Sequence, residues 1–266
     1  MNWTGRLSGL YDRLNLLVAE FGYKVTLRHL ITRLIGTPRF MRPSSLMDFR
    51  HAPVTITADA QSFLEILLPT VSADQIRATL SEGESVLSKT SFRSSLAFPE
   101  NWNSGRNLRL IVFSLTRILK PENVVETGTA NGASADAWAT ALRLNGKGLL
   151  TSIDVVASPI QLVKPENLSF VSLVRTNGSL RQLLVKLKTT IKSDDESPSI
   201  FLHDSDHSYF GQYGEYIVAS DLEFDILLSD DVDSSMAFLD FTVSRLHAVV
   251  MIDGHKMIGG IRLGAV

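Results

Sequence analysis

One stretch limits the fold more than any other: residues 123–142, NVVETGTANGASADAWATAL. Its start reads as a short buried strand and its end as a helix, with Glu126, Gly128 and Gly132 at the junction. A strand that feeds a helix through a glycine turn is the repeating unit of a parallel sheet. From Pro121 onward the chain repeats that texture. Strands are expected at Asn123–Thr127, Leu149–Asp154, Leu168–Val174, Ser199–Asp204 and Asp225–Asp230, with helices opening near Ser134, Ser179, Tyr209 and Ser234. HAVVMIDG and KMIGGIRLG then read as two strands around a tight turn at Asp253-Gly254-His255, a closing antiparallel hairpin. The fold class this predicts is α/β: a seven-stranded, mostly parallel, doubly wound sheet ending in that hairpin.

The residues before this sheet read as helical. Trp3, Leu7, Leu10, Leu14, Leu17, Val18 and Phe21 recur at three and four, as do Leu27, Leu30, Ile31, Leu34 and Ile35, which predicts two amphipathic helices. Residues 1–50 carry eight Lys or Arg against three acidic residues, +5, and the remainder carries 18 against 25, −7. A basic amphipathic helix packs on its own domain or a second copy, making a homo-oligomer, or lies on a membrane surface through residues 1–35. DAQSFLEILLPT, SADQIRATLSEGESVLSK and RNLRLIVFSLTRILK continue the helical texture. The division this suggests is a helical lid or oligomerisation region over 1–102 and the α/β domain over 103–266.

Composition removes several chemistries. Of the 266 residues none is Cys, which excludes disulfides, thiolate metal sites and cysteine nucleophiles. With no apolar run long enough to span a bilayer and no secretory signal pattern, a cytoplasmic protein is expected. A net charge of −2 gives no electrostatic footprint for nucleic acid.

In open α/β sheets ligands bind beyond the carboxyl ends of the strands, and every parallel strand here ends in polar residues. After the first come Glu126, Thr127, Gly128, Ala130, Gly132 and Ser134. The glycines follow GxxxG rather than the dinucleotide GxGxxG, and a carboxylate at Glu126 disfavours a pyrophosphate and favours a cation such as S-adenosylmethionine. Asp154 ends the second strand, where a carboxylate accepts ribose hydroxyls. Gly178 and Ser179 follow the third strand, and Ser179 serves equally as a helix cap. The fourth strand leads into Asp204, Asp206 and His207, and the fifth into Asp230 and Asp231. Carboxylates gathered from adjacent strands repel unless a proton or cation intervenes, and an all-oxygen set suits Mg or Ca.

These motifs carry a family resemblance. VVETGTANGAS, SID, FLHDSDHSY and LLSDDV, in that order, resemble the motifs of class I S-adenosylmethionine-dependent methyltransferases, and more narrowly the macrocin and rhamnosyl O-methyltransferases with their cephalosporin-hydroxylase-like relatives. The resemblance covers about residues 103–266 and implies a Rossmann-like domain that methylates a hydroxyl of a small glycosylated or phenolic metabolite. It implies that Glu126, Gly128 and Gly132 surround the methionine part of the cofactor, with Asp154 on the ribose and Ser179 beside the adenine. Thr127, Ala130, Ser134, Gly178 and Asp204 belong to the same cofactor set. Asp204, Asp230 and Asp231 match positions that bind a divalent metal, Mg by ligand type. His207 is the first choice of general base, with Asp206 and Asp204 as alternatives, and a purely structural His207 stays open. Ser205 stands where the family has glycine, and the Gly-Gly usual before the fifth strand is missing from ASDLEFDILLSDD. Two other classes remain: a nicotinamide-dependent oxidoreductase, and a non-catalytic protein of this fold acting through its basic helices.

Overall fold

The structure is a computed structural model that describes residues 42–87, 96–157, 160–190, 197–243 and 247–264. The two basic helices expected before residue 36 lie outside the described residues. Helix α1 (Leu46–Arg50) opens with a capping box, Ser45 and Asp48 satisfying one another's backbone N–H groups. Strand β1 (Val54–Thr57) precedes α2 (Ala60–Leu67), which Asp59 caps by accepting from Ser62 N. Helices α3 (Ala73–Leu87) and α4 (Arg106–Leu119) follow the expected helical segments. Lys120 ends α4 in the left-handed region, and Pro121 prevents its continuation.

The alternating unit then runs β2 (Asn123–Thr127), α5 (Ala133–Asn145), β3 (Leu149–Asp154), β4 (Val171–Arg175), α6 (Leu180–Thr190), β5 (Ile200–His203), α7 (Tyr209–Asp221), β6 (Ile226–Ser229) and α8 (Ala237–Thr242). The hairpin is β7 (Ala248–Asp253) and β8 (Lys256–Arg262), turned at Gly254 with φ +66°. Leu168 falls in a 3-10 turn, Pro165–Phe170, so the expected third strand starts three residues later. Pro165 opens that turn, and the Leu168 carbonyl is used by Val171 N instead of a sheet neighbour.

Among the described residues the sheet has eight strands, ordered β1-β7-β8-β6-β5-β2-β3-β4, rather than the seven expected. The addition is β1, parallel to β7 from Val54↔Ala248 to Thr57↔Met251. Its sequence, VTIT, has the β-branched residues that favour a pleated surface, yet four residues between helical segments give too short a pattern to stand out. Only β8 runs against the others, inserted between β6 and β7. Apolar side chains from alternate strand positions build a core on each face. Phe63, Ile111, Trp138, Leu202 and Met251 lie in one, and Phe49, Phe201, Tyr216, Phe238 and Val250 in the other. With both faces covered, the sheet's free chemistry is confined to its strand ends.

Candidate active site

The carboxyl ends of β2 to β6 open into a cavity of about 690 Å³, within the usual range for small-molecule and cofactor sites. Between β2 and α5 the backbone reverses through three residues of positive φ: Gly128 (+85°), Ala130 (+43°) and Gly132 (+88°). Gly128 N donates to Ile153 O at 2.8 Å, and Asp204 N donates to Thr127 O at 2.9 Å, so both neighbouring strands clasp the turn. A Cβ on Gly128 would stand 1.9 Å from the Asp204 carbonyl oxygen. Gly132 is different. A Cβ there would meet Val163 and Ile160, so this glycine admits the chain that follows β3 instead of a ligand.

Asp154 organises the same turn. Its Oδ2 accepts from Thr129 N at 2.9 Å and Ala130 N at 3.4 Å, and its Oδ1 from Val156 N at 3.0 Å. Thr127, Gly128, Ala130, Ser134 and Asp154 all line the cavity, and so do Gly178 and Ser179. Ser179 Oγ also accepts from Gln182 N at 3.3 Å, which joins the cap and cavity roles. Leu183, Ile153 and Val155 give this half an apolar wall.

Glu126 is not brought to the cavity. Residues along β2 alternate between faces, and Glu126 shares the face of Val124, paired across to Ser152 of β3. Ser152 Oγ donates to its Oε1 at 2.7 Å. Its Oε2 has no partner among the described residues. Burial pushes this carboxyl up to about 7, against the pull of Ser152, Ser134 and Trp138.

The acidic residues do converge, in a series where carboxyl groups alternate with side-chain nitrogens. Lys256 Nζ lies 2.5 Å from Asp230 Oδ2 and 3.6 Å from Asp231 Oδ1. His207 Nδ1 lies 3.2 Å from Asp231 Oδ2, and its Nε2 3.6 Å from Asp204 Oδ1. Burial, with Asp230 next, pushes the Asp204 carboxyl up to about 8. Burial also raises Asp230, with Lys256 pulling the other way and Asp231 adding to the rise. For His207 burial pulls downward, but Asp204, Asp231 and Asp230 outweigh it and the imidazole is raised above its ordinary value. Burial lowers Lys256 too, yet the same carboxylates push it up to about 12.

Asp206 is committed elsewhere. Its Oδ1 accepts from Ser208 N at 3.0 Å and its Oδ2 from Ser208 Oγ at 2.9 Å, and Ser208 caps α7. Asp204, Asp230 and Asp231 are the expected Mg ligands. Asp204, Asp230 and Asp231 are adjacent, but among the described residues no group of three acidic or histidine side chains is disposed to hold a metal ion. The physical reason is that nitrogens of Lys256 and His207 already face their oxygens.

Lys256, Glu215 and Phe98 are missing from the sequence reading. Lys256 reaches the site because β8 is antiparallel, so its first residue lies at the edge where the parallel strands end. Glu215 on α7 sits beneath the cavity, its Oε2 2.7 Å from His203 Nδ1 and its Oε1 accepting from Ser205 Oγ at 2.8 Å; Thr127 Oγ1 donates to it as well. Phe98 and Trp102 stack with centroids 5.9 Å apart at the rim. Asn131 holds that loop, accepting from Phe98 N at 3.0 Å and donating to Phe98 O at 3.1 Å. Of the aromatic residues following β5, Tyr209 and Tyr213 stack on one another within the second core.

No protein-family model matches the chain, and no curated protein matches it. Solved structures that resemble it include an S-adenosylhomocysteine-bound methyltransferase from Podospora anserina, at 16% identity and TM-score 0.46 over 72% of this chain and 88% of that one. An O-methyltransferase from Bacillus cereus in complex with S-adenosylhomocysteine gives 14% and 0.47 over 70% and 90%. The O-methyltransferase TomG from Streptomyces achromogenes, in complex with S-adenosylmethionine, gives 14% and 0.44 over 77% and 96%. With TM-scores below 0.5, these likenesses are similarities of form alone.

Proposed function

We propose that this protein is an S-adenosylmethionine-dependent O-methyltransferase acting on a hydroxyl of a small glycosylated or phenolic metabolite. The observation that carries the reading is the continuity of one cavity. An ordered glycine turn with Asp154, Gly178 and Ser179 opens directly onto the Asp204–His207–Asp231 cluster.

The residues present fit such a cofactor. Asp154 offers carboxylate oxygens to a ribose, and Leu183, Ile153 and Val155 flank a planar base beside Ser179. Helix α5 starts at Gly132 with no side-chain cap, which leaves backbone N–H groups and the positive end of its dipole for a carboxylate. When bound, the cofactor supplies an electrophilic methyl group on a sulfonium.

The chain then has two tasks, alignment and removal of the acceptor's proton. Of the three base candidates, Asp206 is engaged by Ser208, and Asp204, its carboxyl raised to about 8, holds its own proton at neutral pH. His207 remains. It takes the hydroxyl proton as the acceptor oxygen forms its bond to the methyl carbon and the sulfur–carbon bond breaks. Asp231, with its oxygen 3.2 Å from Nδ1, orients the ring and stabilises the imidazolium that results, while the Asp204 carboxyl flanks it on the other side. The rim pair Phe98 and Trp102, with Trp102 59% exposed, forms an aromatic wall for a ring of the acceptor. Glu215 holds Ser205 and Thr127 below the reacting atoms.

Calorimetric titration of the purified protein with S-adenosylmethionine tests the reading. Binding in the micromolar range that Asp154→Ala weakens by at least about tenfold is expected, about 1.4 kcal/mol. No heat at high micromolar concentration sinks it.

A further inference from the structure

The cluster that a divalent ion would be expected to neutralise already contains a cation from the chain itself. Asp230 is nearly inaccessible, 3% exposed at its side chain, and Lys256 is 20% exposed, with the two atoms Nζ and Oδ2 at 2.5 Å. That contact is fixed by backbone on both sides. Val232 N donates to Met257 O at 3.0 Å, and Met257 N donates to Asp233 Oδ1 at 2.8 Å. Asp231 sits between them at φ +47°, a left-handed conformation that its surroundings must hold in place, and Gln212 Nε2 donates to its carbonyl at 3.2 Å. Two residues before Val232, therefore, the carboxylate of Asp230 meets the ammonium of the residue before Met257.

In the series Asp230, Lys256, Asp231, His207, Asp204, carboxyl groups alternate with nitrogen-bearing side chains. Each carboxylate in it faces a nitrogen. Mg needs a nearly octahedral set of oxygens at about 2.1 Å, and an ammonium among those oxygens is repelled by the ion while competing for the same lone pairs. A divalent ion would have to evict Lys256 from a largely buried contact and leave its charge in the cavity wall.

We propose that Lys256 is the resident cation of this site: its ammonium stands where a divalent ion would engage Asp230 and Asp231, so the site neither binds nor requires a divalent metal. That this position serves methyl transfer rests on the function proposed above; the absence of metal binding does not. The role of Lys256 is positional. It holds the strand-end carboxylates together at the mouth of β6, and with them the His207 ring that Asp231 orients.

The test is a manganese titration of the full chain followed by electron paramagnetic resonance, without cofactor, for the native protein, Lys256→Met and Lys256→Met with Asp231→Asn. The native protein should show no saturable site up to about 1 mM. Lys256→Met should gain one at least about tenfold tighter, which Asp231→Asn removes, and about 100-fold excess of Mn over its Kd should raise that variant's melting temperature by on the order of 5 °C. Saturable binding to the native chain that Asp230→Asn abolishes overturns the proposal, as does a folded Lys256→Met that gains no site. Should Lys256→Met not fold, turnover of the native protein in excess chelator decides: unchanged rates support a resident lysine, and loss that Mg restores refutes it. Failure to bind the methyl donor would sink the proposed function and leave the manganese result standing.

Discussion

Glu126 shows how one side chain's direction can separate a fold signal from a site signal. Position along the chain puts it at the head of the glycine turn, where the resemblance gives it to the cofactor. Strand parity turns it inward to Ser152, with one oxygen unpartnered and its carboxyl at about 7 instead of its ordinary 4.5. A group that binds its proton more tightly folded than unfolded stabilises the fold while both states are protonated. That contribution is present below about 4.5 and is lost as pH rises through about 7, a fall of about 3 kcal/mol for a fully buried carboxyl. Glu126→Gln, which keeps an acceptor for Ser152, should therefore be close to native stability at pH 4.5 and more stable by about 1–3 kcal/mol at pH 8 in urea unfolding. Its cofactor affinity should stay within about threefold of native, under 1 kcal/mol. A tenfold loss of affinity would put the carboxylate on the methionine ammonium and refute its inward orientation.

At the scale of elements, the turn between β2 and α5 depends on how closely β5 approaches it. A Cβ at Gly128 would collide with the Asp204 carbonyl and would also be held at φ +85°, whereas Gly146, at φ +70° after α5, faces open space. Both alanine substitutions incur the left-handed penalty of about 1 kcal/mol, but only the first forces two strand ends apart. Gly128→Ala should cost about 3 kcal/mol or more, roughly 10 °C in melting temperature for a chain of this size, and remove cofactor binding. Gly146→Ala should lose about 3 °C and keep it. Equal, mild losses in thermal unfolding would mean that β2 and β5 are not clasped at that turn. These elements were legible in the sequence for a physical reason: a parallel strand buried on both faces is a short apolar run, and its polar terminus marks the ligand edge, which is how Asp154, Asp204, His207, Asp230 and Asp231 stand out. Lys256 was not legible, because only the insertion of an antiparallel β8 beside β6 brings a strand's first residue to that edge. The parity that hides Glu126 is readable in principle, since Val124 shares its face, but the order of the motif places Glu126 at the turn. Strand β1 was concealed by its four-residue length.

Across the whole molecule, residues 42–87 before the glycine turn are built into the sheet and its core instead of being laid over them. Strand β1 extends the sheet beyond β7, and Ser44 N donates to Asp233 O at 2.9 Å, just after the acidic pair of β6. Helix α2 lays Phe63 and Leu67 against Gly260 of β8, and α3 brings Gly83 against Phe113 of α4. Phe63, Leu64, Leu67 and Ile76, all fully buried, belong to the same core as Trp138 and Leu202. Each such side chain contributes about 1.5–3 kcal/mol by its burial, and four of them together approach the 5–15 kcal/mol that is the whole margin of a typical domain. A fragment of residues 103–266 should therefore lack a cooperative thermal transition and bind the methyl donor at least about 100-fold more weakly than the full chain, about 2.7 kcal/mol. Calorimetric scans of fragment and full chain, with the cofactor titration beside them, decide the matter. Cooperative melting of the fragment with native affinity would make residues 1–102 a separable lid, and selectivity for the proposed acceptor would then have to be sought there instead of in the rim formed by Phe98, Trp102 and the loops after β5 and β6.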